Sequence, residues 1–262
     1  GTTVSRWIDG VLEKNELIDQ DSNLRSVFMW GHAPNSQTRG LEMKRAMDKL
    51  DLLVVIDPYP SATAAMAAMP GKPEDLNPNR AVYLLPAATQ FETSGSATAS
   101  NRSIQWREKV IEPLWESRSD HMIMQQFADK LGFGKELSKN YKMQKVNGMD
   151  EPVPEDILRE INKGVWTIGY TGQSPERLKA HMRNMHVFDV KTLKAKGNAK
   201  DKETGYDFTG DYFGLPWPCY GTAAIKHPGS PNLYDTSKHV MEGGGNFRAN
   251  FGVEREGKSL LA

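Results

Sequence analysis

The stretch LLVVIDPYPS, residues 52–61, decides how the rest of the sequence is interpreted. Its first five residues are all apolar, which is typical of a parallel strand that helices cover on both faces. The run ends at Asp57, and Pro58 and Pro60 follow, so the strand stops in a polar turn. In open α/β sheets, ligands bind where such strands end. We therefore expect a binding site at this turn.

Helix and strand patterns alternate around residues 52–61. LRSVFMW at residues 24–30 is rich in β-branched and aromatic residues, and residues 41–50 place apolar side chains on one helical face. Further helices are predicted over residues 4–17 and 61–69, and a third strand over residues 81–88. The alternation predicts an α/β fold with an open, mostly parallel sheet flanked by helices.

Three more helices are predicted downstream. One begins at Ser119 or Asp120 and stops at Gly132. The other two, over residues 154–164 and 174–185, carry proline at or near the first helical turn, where its missing N–H costs little.

From about Asn198 onward, glycines, prolines and aromatic residues follow one another without a sustained period, which predicts irregular structure. The pattern changes before that point as well, because strand signals fade after the third strand. We therefore expect an α/β domain over residues 1–145 and a helical, then irregular extension over residues 146–262.

Charge and cysteine content exclude several classes of protein. The chain has 33 basic and 33 acidic residues, so its net charge gives no reason to expect nucleic acid as a partner. No apolar run reaches the roughly 18 residues that span a bilayer, so direct membrane insertion is not expected. A single cysteine, Cys219, excludes an internal disulfide and a cysteine-ligated metal cluster within the chain. Because the sequence begins with Gly1, it can be a processed product or a piece of a longer protein.

Three strand-end loops are candidates for ligand contact: GHAPNSQ, DPYPSAT and PAATQFETSGS. Helix N-termini that follow such loops attract phosphate, and Asp57 could accept hydrogen bonds from a ribose or a purine amine. Neither GxGxxG nor GxxxxGK[ST] occurs, so an ordinary nicotinamide or ATP site is not expected. Asp57 could instead cap the next turn, and spacing alone favours this alternative.

The histidines and the cysteine show no metal-ligand spacing. His32 lies in the first strand-end loop, where ligand contact is plausible. His121, His181 and His186 are interpreted as surface or packing residues. Cys219, in WPCYG, has no nearby base or helix N-terminus and is interpreted as a small buried residue.

The order of the segments resembles the catalytic subunits of the molybdopterin oxidoreductases, and within that superfamily it is most similar to formate dehydrogenase. Those subunits have a strand ending in a Gly-rich loop with Asn and Pro, and then a strand ending in Asp. A third strand ends in Leu-Pro, and Glu, Gly and an Arg-x-x-Gln pattern follow. The matching positions here are Gly31, Pro34, Asn35, Asp57, Leu85, Pro86, Glu92, Gly95, Arg102 and Gln105.

The resemblance implies that this stretch holds one of two molybdopterin guanine dinucleotides of a bis-pterin molybdenum or tungsten cofactor. Residues 31–37 would contact the guanosine diphosphate part, Asp57 the guanosine, and residues 92–102 would lie toward the pterin. It implies no catalytic residue and no metal ligand within this chain. The residues it assigns to the cofactor are Gly31, His32, Ala33, Asn35, Gln37, Asp57, Pro58, Glu92, Gly95 and Arg102.

Other parts of that family are missing from this sequence, namely the four-cysteine cluster domain, the metal-ligating cysteine or selenocysteine, and the C-terminal barrel. The resemblance therefore implies an internal segment of a larger subunit, with any iron–sulfur cluster outside it. The implied partners are the remaining domains of that subunit and an iron–sulfur electron-transfer subunit. The compartment, bacterial periplasm or cytoplasm, stays open.

Three functions remain from the sequence. The first is a part of a formate dehydrogenase that oxidises formate to carbon dioxide but is inactive alone. The second is a part of another molybdopterin oxidoreductase, such as a nitrate reductase, because a pterin-binding segment says little about substrate. The third is a catalytically silent α/β binding module.

Overall fold

Two compact units make up the chain, and each draws on separate stretches of sequence. The first comprises Gly1–Thr93, Lys109–Leu137 and Gln144–Glu151, and the second comprises Ser94–Glu108, Ser138–Met143 and Pro152–Ala262. The predicted division between residues 145 and 146 stays a prediction. The computed structural model describes residues 6–12, 20–32, 39–60, 63, 79–99, 103–164, 174–190, 193–214, 254–255 and 258–259.

The first unit contains the predicted parallel sheet. Its strands are β1 (Ser26–Trp30), β2 (Leu52–Asp57) and β3 (Ala81–Pro86), in the order β1-β2-β3. Ser26 is paired with Leu52, and Leu52 with Ala81, so the strands begin level and end at the same edge. This arrangement confirms the predicted α/β class.

Helices cover both faces of β2, which explains its continuous apolar run. Leu53 and Val55 pack in a core with α1 (Arg6–Val11) and α2 (Gly40–Lys49). Val54 and Ile56 point to the other face and pack with Ile123 of α3 (Asp120–Leu131). Because successive side chains alternate between the faces of a strand, all four buried positions of β2, residues 53–56, are apolar.

Helix α3 begins and ends as predicted. The Ser119 hydroxyl accepts a hydrogen bond from the Met122 N–H at 3.3 Å, which caps the first turn. Gly132 has a φ of 88°, a left-handed conformation that suits glycine, and its N–H donates to the carbonyls of Ala128 and Asp129. The helix predicted over residues 61–69 lies outside the described residues except for Thr63.

Sequence reasoning missed two hairpins and a short helix, α4 (Gly134–Leu137). Strands β4 (Gly95–Thr98) and β5 (Ile104–Arg107) pair antiparallel. Strands β6 (Met143–Val146) and β7 (Met149–Pro152) flank Asn147 and Gly148, whose φ values are 49° and 79°. Asn-Gly between two extended runs is the strongest local hairpin signal, so this hairpin was predictable.

The second unit contains the two predicted proline-initiated helices, α5 (Pro154–Gly164) and α6 (Pro175–Arg183). The Ser174 hydroxyl caps α6 by accepting from the Arg177 N–H at 3.1 Å. Helices α5 and α6 bury Leu158 and Leu178 against Ile104 and Trp106 of β5. Two short strands, β8 (Glu254–Arg255) and β9 (Lys258–Ser259), also pair antiparallel.

Residues 193–214 have the irregular backbone that the sequence predicts, yet they are well packed. Phe208 is completely buried, together with Phe188 and Phe213, and isolated bridges such as Lys200 with Asp207 hold the segment. Within the described ranges, no helix is both long enough and apolar enough to cross a bilayer.

Candidate functional site

The carboxyl edge of the sheet is held together by hydrogen bonds that continue beyond the strands. The Gly31 N–H donates to the Ile56 carbonyl at 2.9 Å, and the Ala87 N–H donates to the Asp57 carbonyl at 3.2 Å. Gly31 has a φ of 54°, and no atom of the described residues lies within 4 Å of the place where its Cβ would be. The chain can therefore turn sharply after β1 and leave open space at the strand end.

The segments that follow β1 and β2 are tied to each other. The hydroxyl of Thr63, a fully buried residue, donates to the carbonyl of the exposed His32 at 3.2 Å. The predicted site residues Ala33, Asn35, Gln37 and Arg102 lie outside the described part of the chain.

Asp57 makes the capping contact that its spacing favours. Its Oδ1 accepts a hydrogen bond from the backbone N–H of Tyr59 at 3.1 Å. This bond orders the turn through Pro58 and leaves the side chain half-buried at the strand end. None of the other described residues donates to Oδ2, so this oxygen can still accept a hydrogen bond from a ligand.

Glu92 is buried and uses both carboxylate oxygens to hold backbone. Oε2 accepts from the Thr89 N–H at 2.7 Å, and Oε1 accepts from the Leu114 N–H at 3.0 Å. Burial opposes ionisation, but the hydrogen bonds from Thr89 and Leu114 outweigh it and hold the pKa of Glu92 below its ordinary value. The carboxylate therefore joins the loop after β3 to residues 110–117.

Residues 110–117 are fixed on both sides of Trp115. The Pro113 carbonyl accepts from Asn147 Nδ2 at 2.8 Å. The Leu114 carbonyl accepts from the Ser117 N–H at 3.0 Å and from its hydroxyl at 2.7 Å. Trp115 lies between these contacts with a φ of 49°, and it is 96% exposed.

These segments surround a pocket of about 340 Å³ at the ends of β2 and β3. Such a volume lies in the range of small-ligand sites. Its walls include Pro58, Tyr59, Pro86, Ala87, Glu92 and Trp115. Two of the predicted residues, Pro58 and Glu92, thus line one pocket, whereas Gly95 begins β4 in the second unit.

Sequence reasoning missed the two aromatic residues of this pocket. Tyr59 directly follows the predicted strand end, so its position was a usable signal. Trp115 is distant in sequence from the ends of β2 and β3, and long-range contacts, such as those of Glu92 with Leu114 and of the Arg118 N–H with the Pro86 carbonyl, bring its loop to the pocket.

A second pocket, of about 380 Å³, lies between β3 and α3 in the same unit. Leu85, Ile123 and Phe127 give it an apolar floor, and Arg118 and Lys130 give it positive charge. None of its lining residues is among the residues predicted to bind the cofactor, and it shares Pro86 and Glu116 with the strand-end pocket.

Two histidines lie beside single carboxylates. His121 Nε2 is 3.4 Å from Glu151 Oε1, and His181 Nε2 is 3.1 Å from Asp211 Oδ2. In the described part of the chain, no three side chains of His, Cys, Asp or Glu lie together as metal ligands. Both pairs serve packing within their units, as the sequence indicated.

Comparison with known proteins places the sheet in a family. Residues 8–130 match the sequence model of the molybdopterin oxidoreductases. The F420-dependent formate dehydrogenase subunit alpha of Methanocaldococcus jannaschii is 30% identical over 189 residues, which are 71% of this chain and 24% of that protein. A protein of Staphylococcus aureus strain RF122 named as a formate dehydrogenase is 28% identical over 170 residues, 64% of this chain and 14% of that protein.

A solved structure, acetylene hydratase from Pelobacter acetylenicus, has a TM-score of 0.42 and 16% identity, over 64% of this chain and 19% of that one. A likeness at this level adds nothing on fold or chemistry, so the family rests on the sequence matches. The chain spans about a quarter or less of the curated relatives it matches. The sequence matches thus identify residues 8–130 as a molybdopterin oxidoreductase domain.

Proposed function

We propose that this chain is the cofactor-binding segment of a formate dehydrogenase catalytic subunit. In this proposal the strand-end pocket and its loops hold the guanosine diphosphate part of a molybdopterin guanine dinucleotide. Family membership supports an oxidoreductase with a molybdopterin-type cofactor, and the names of the relatives favour formate as the substrate. The observation that carries the proposal is the pocket beside Asp57, at the common end of the parallel strands.

The residues at the ends of the strands and in the adjoining pocket fit a nucleotide. Open space at Gly31 leaves room for a phosphate or ribose to approach the backbone. Asp57 Oδ2 can accept a hydrogen bond from a ribose hydroxyl or a guanine N–H. Tyr59 and Trp115 offer flat apolar faces to a base.

In the complete subunit, the metal of the cofactor would accept the two electrons that formate releases as it becomes carbon dioxide. The residues of this chain would bind and orient the cofactor: Asp57 would hold the guanosine, and the segment after Gly31 would lie along the diphosphate. Glu92 would keep the loop through Trp115 in place by holding the Leu114 N–H.

The proposal is tested by titrating the 262-residue chain with guanosine diphosphate in a calorimeter. We expect saturable binding that Asp57→Ala weakens at least tenfold, because both the turn and the acceptor at the strand end are lost. Asp150→Ala is the matched control, since Asp150 is an exposed aspartate of the same unit that pairs only with Lys145. No binding by the wild-type chain would favour the silent-module alternative.

Formate as the substrate has a separate test. The family's formate dehydrogenases carry a metal-ligating cysteine or selenocysteine followed by histidine. A longer reading frame that contains this chain should encode that pair upstream of Gly1. A frame with a different ligand at that place would favour another molybdopterin oxidoreductase, such as a nitrate reductase.

A further inference from the structure

Two large aromatic side chains, Tyr59 and Trp115, line the strand-end pocket. Tyr59 is 69% exposed and Trp115 is 96% exposed, and both line the same walls. They come from segments more than fifty residues apart in sequence, on either side of Pro86 and Ala87. Exposing two such rings beside one pocket leaves a large apolar area in water, which a bound ligand would cover.

The backbone of Trp115 is held in a conformation that bulky L-residues rarely adopt. Its φ of 49° lies in the left-handed region, where a Cβ crowds the following carbonyl. The hydrogen bonds to the carbonyls of Pro113 and Leu114 and from the Leu114 N–H fix the chain around it. Such over-determined strain is found mainly at binding sites and catalytic sites.

The same two carboxylates that sequence reasoning assigned to the cofactor hold these aromatic residues in place. Asp57 Oδ1 accepts from the N–H of Tyr59 itself. Glu92 Oε1 accepts from the N–H of Leu114, the residue before Trp115. Because both Glu92 oxygens accept from backbone, its role is to position the loop.

We propose that Tyr59 and Trp115 form a stacking site for the purine base of the bound nucleotide, and that Glu92 is a positioning residue for Trp115. This inference rests on the proposed function, because it names the side chains that bind the base in the same pocket. A flat heteroaromatic ring is favoured over an aliphatic ligand because stacking uses the faces of both rings. Asp57, the residue before Pro58 of the pocket wall, would add an acceptor for the N–H groups of guanine through Oδ2.

The test compares two probes on the full 262-residue chain. Guanosine diphosphate carries the base, whereas ribose 5-phosphate carries only sugar and phosphate. The two probes differ by the base and by one phosphate, so the change in the ratio of their dissociation constants between a variant and the wild-type chain measures the contribution of the ring that the variant removes. General loosening of the pocket would weaken both probes alike. Stacking on an aromatic side chain contributes enough for about a tenfold change or more in this ratio.

The informative variant is Trp115→Gly. Glycine suits a φ of 49°, so this variant relieves backbone strain and should unfold at the same or a higher temperature. We expect its preference for guanosine diphosphate over ribose 5-phosphate to fall at least tenfold, while its affinity for ribose 5-phosphate stays unchanged. Tyr59→Leu should act in the same direction, and Trp115→Phe, which keeps a ring, should retain most of the preference. Leu41→Ala is the control, since Leu41 is an exposed apolar residue on α2.

Glu92→Gln tests the positioning role. Glutamine keeps one oxygen acceptor, so either Thr89 or Leu114 loses its partner, and the base preference should fall without a matching loss of ribose 5-phosphate binding.

The possible outcomes distinguish failure of the stacking site from failure of the proposed function. A wild-type chain that prefers guanosine diphosphate, with Trp115→Gly keeping the full preference, would overturn the stacking site and leave the proposed function standing. A wild-type chain that binds both probes equally would also overturn it and leave only a phosphate site. A wild-type chain that binds neither probe would contradict the proposed function and the stacking site together.

Discussion

Both ring nitrogens of His181 form hydrogen bonds in the interior of the second unit. Nδ1 accepts the Gly214 N–H at 3.0 Å, so Nε2 must carry the hydrogen and donate to Asp211 Oδ2 at 3.1 Å. Asp211 also lies 3.0 Å from the Nε atom of Arg177. Burial lowers the pKa of His181, and the attraction of Asp211 only partly opposes this effect. The histidine is therefore neutral in the folded unit.

Because His181 is neutral in the folded unit, we expect the free energy of unfolding to fall in mild acid. The unfolded chain takes up the proton near the ordinary pKa of 6.5, whereas the folded chain takes it up only at lower pH. The contribution to stability is therefore fully present above 6.5 and falls as the pH drops below it. Urea unfolding followed between about pH 7.5 and 5 should show this slope, and His181→Gln should flatten it. An equal slope in both proteins would contradict the assignment.

The predicted site residues show which features of the site residue types alone can predict. Asp57 and Pro58 were predictable because a carboxylate and a proline directly end an apolar strand. Glu92 was predicted near the site, but its contact with the Leu114 N–H was not. Backbone donors carry no side-chain signature, so no pattern of residue types marks a carboxylate that holds a distant loop.

At the scale of helices and strands, the spacing of apolar residues was enough to predict an element wherever at least one of its faces is buried. It predicted α2, β2 and α3, whose buried apolar positions face the two cores of the first unit, although Leu41 of α2 and Leu131 of α3 are exposed. It failed for β6 and β7, because neither strand has a long apolar run and only the turn between them carries a signal. Strand β3 was predicted, but its place at the edge of the described sheet was not, and there Val82, Tyr83 and Leu84 are exposed.

The β6–β7 turn gives a prediction for its glycine. Gly148 has a φ of 79°, so Gly148→Ala forces a Cβ into the left-handed region and should lower the free energy of unfolding by about 1 kcal/mol. Gly40→Ala is the matched control: a Cβ at Gly40 would meet nothing within 4 Å, and alanine favours a helix. Urea denaturation of both variants measures the difference. Equal stability of the two would contradict the strained turn.

At the scale of the whole molecule, the chain leaves the first unit after Thr93, returns at Lys109, and leaves again after Leu137. No change of composition marks these crossings, so the sequence could not place them. Each unit has its own core, one around β2 and one around Leu178 and Phe208. Contacts far apart in sequence, which a single sequence does not reveal, decide which stretches belong together.

The last prediction concerns catalysis by the chain alone, because the chain covers only a small part of its relatives. The chain matches 24% of a formate dehydrogenase alpha subunit and has one cysteine. We therefore expect that the 262-residue chain, given formate and an artificial electron acceptor, reduces none of the acceptor above the blank. The assay is spectrophotometric, with an active formate dehydrogenase as the positive control. Turnover by this chain alone would show that the chemistry does not need the rest of such a subunit.

Asn147 and Gly148 also make this protein sensitive to deamidation during storage. An asparagine followed by glycine deamidates readily, because glycine does not hinder attack of its own backbone nitrogen on the asparagine amide. The product carries a carboxylate where Nδ2 now donates to the Pro113 carbonyl, so a donor becomes an acceptor facing an acceptor. Stored protein would thus lose a support of the Trp115 loop without any change in its encoded sequence, and old and fresh preparations would differ in how firmly this loop is held.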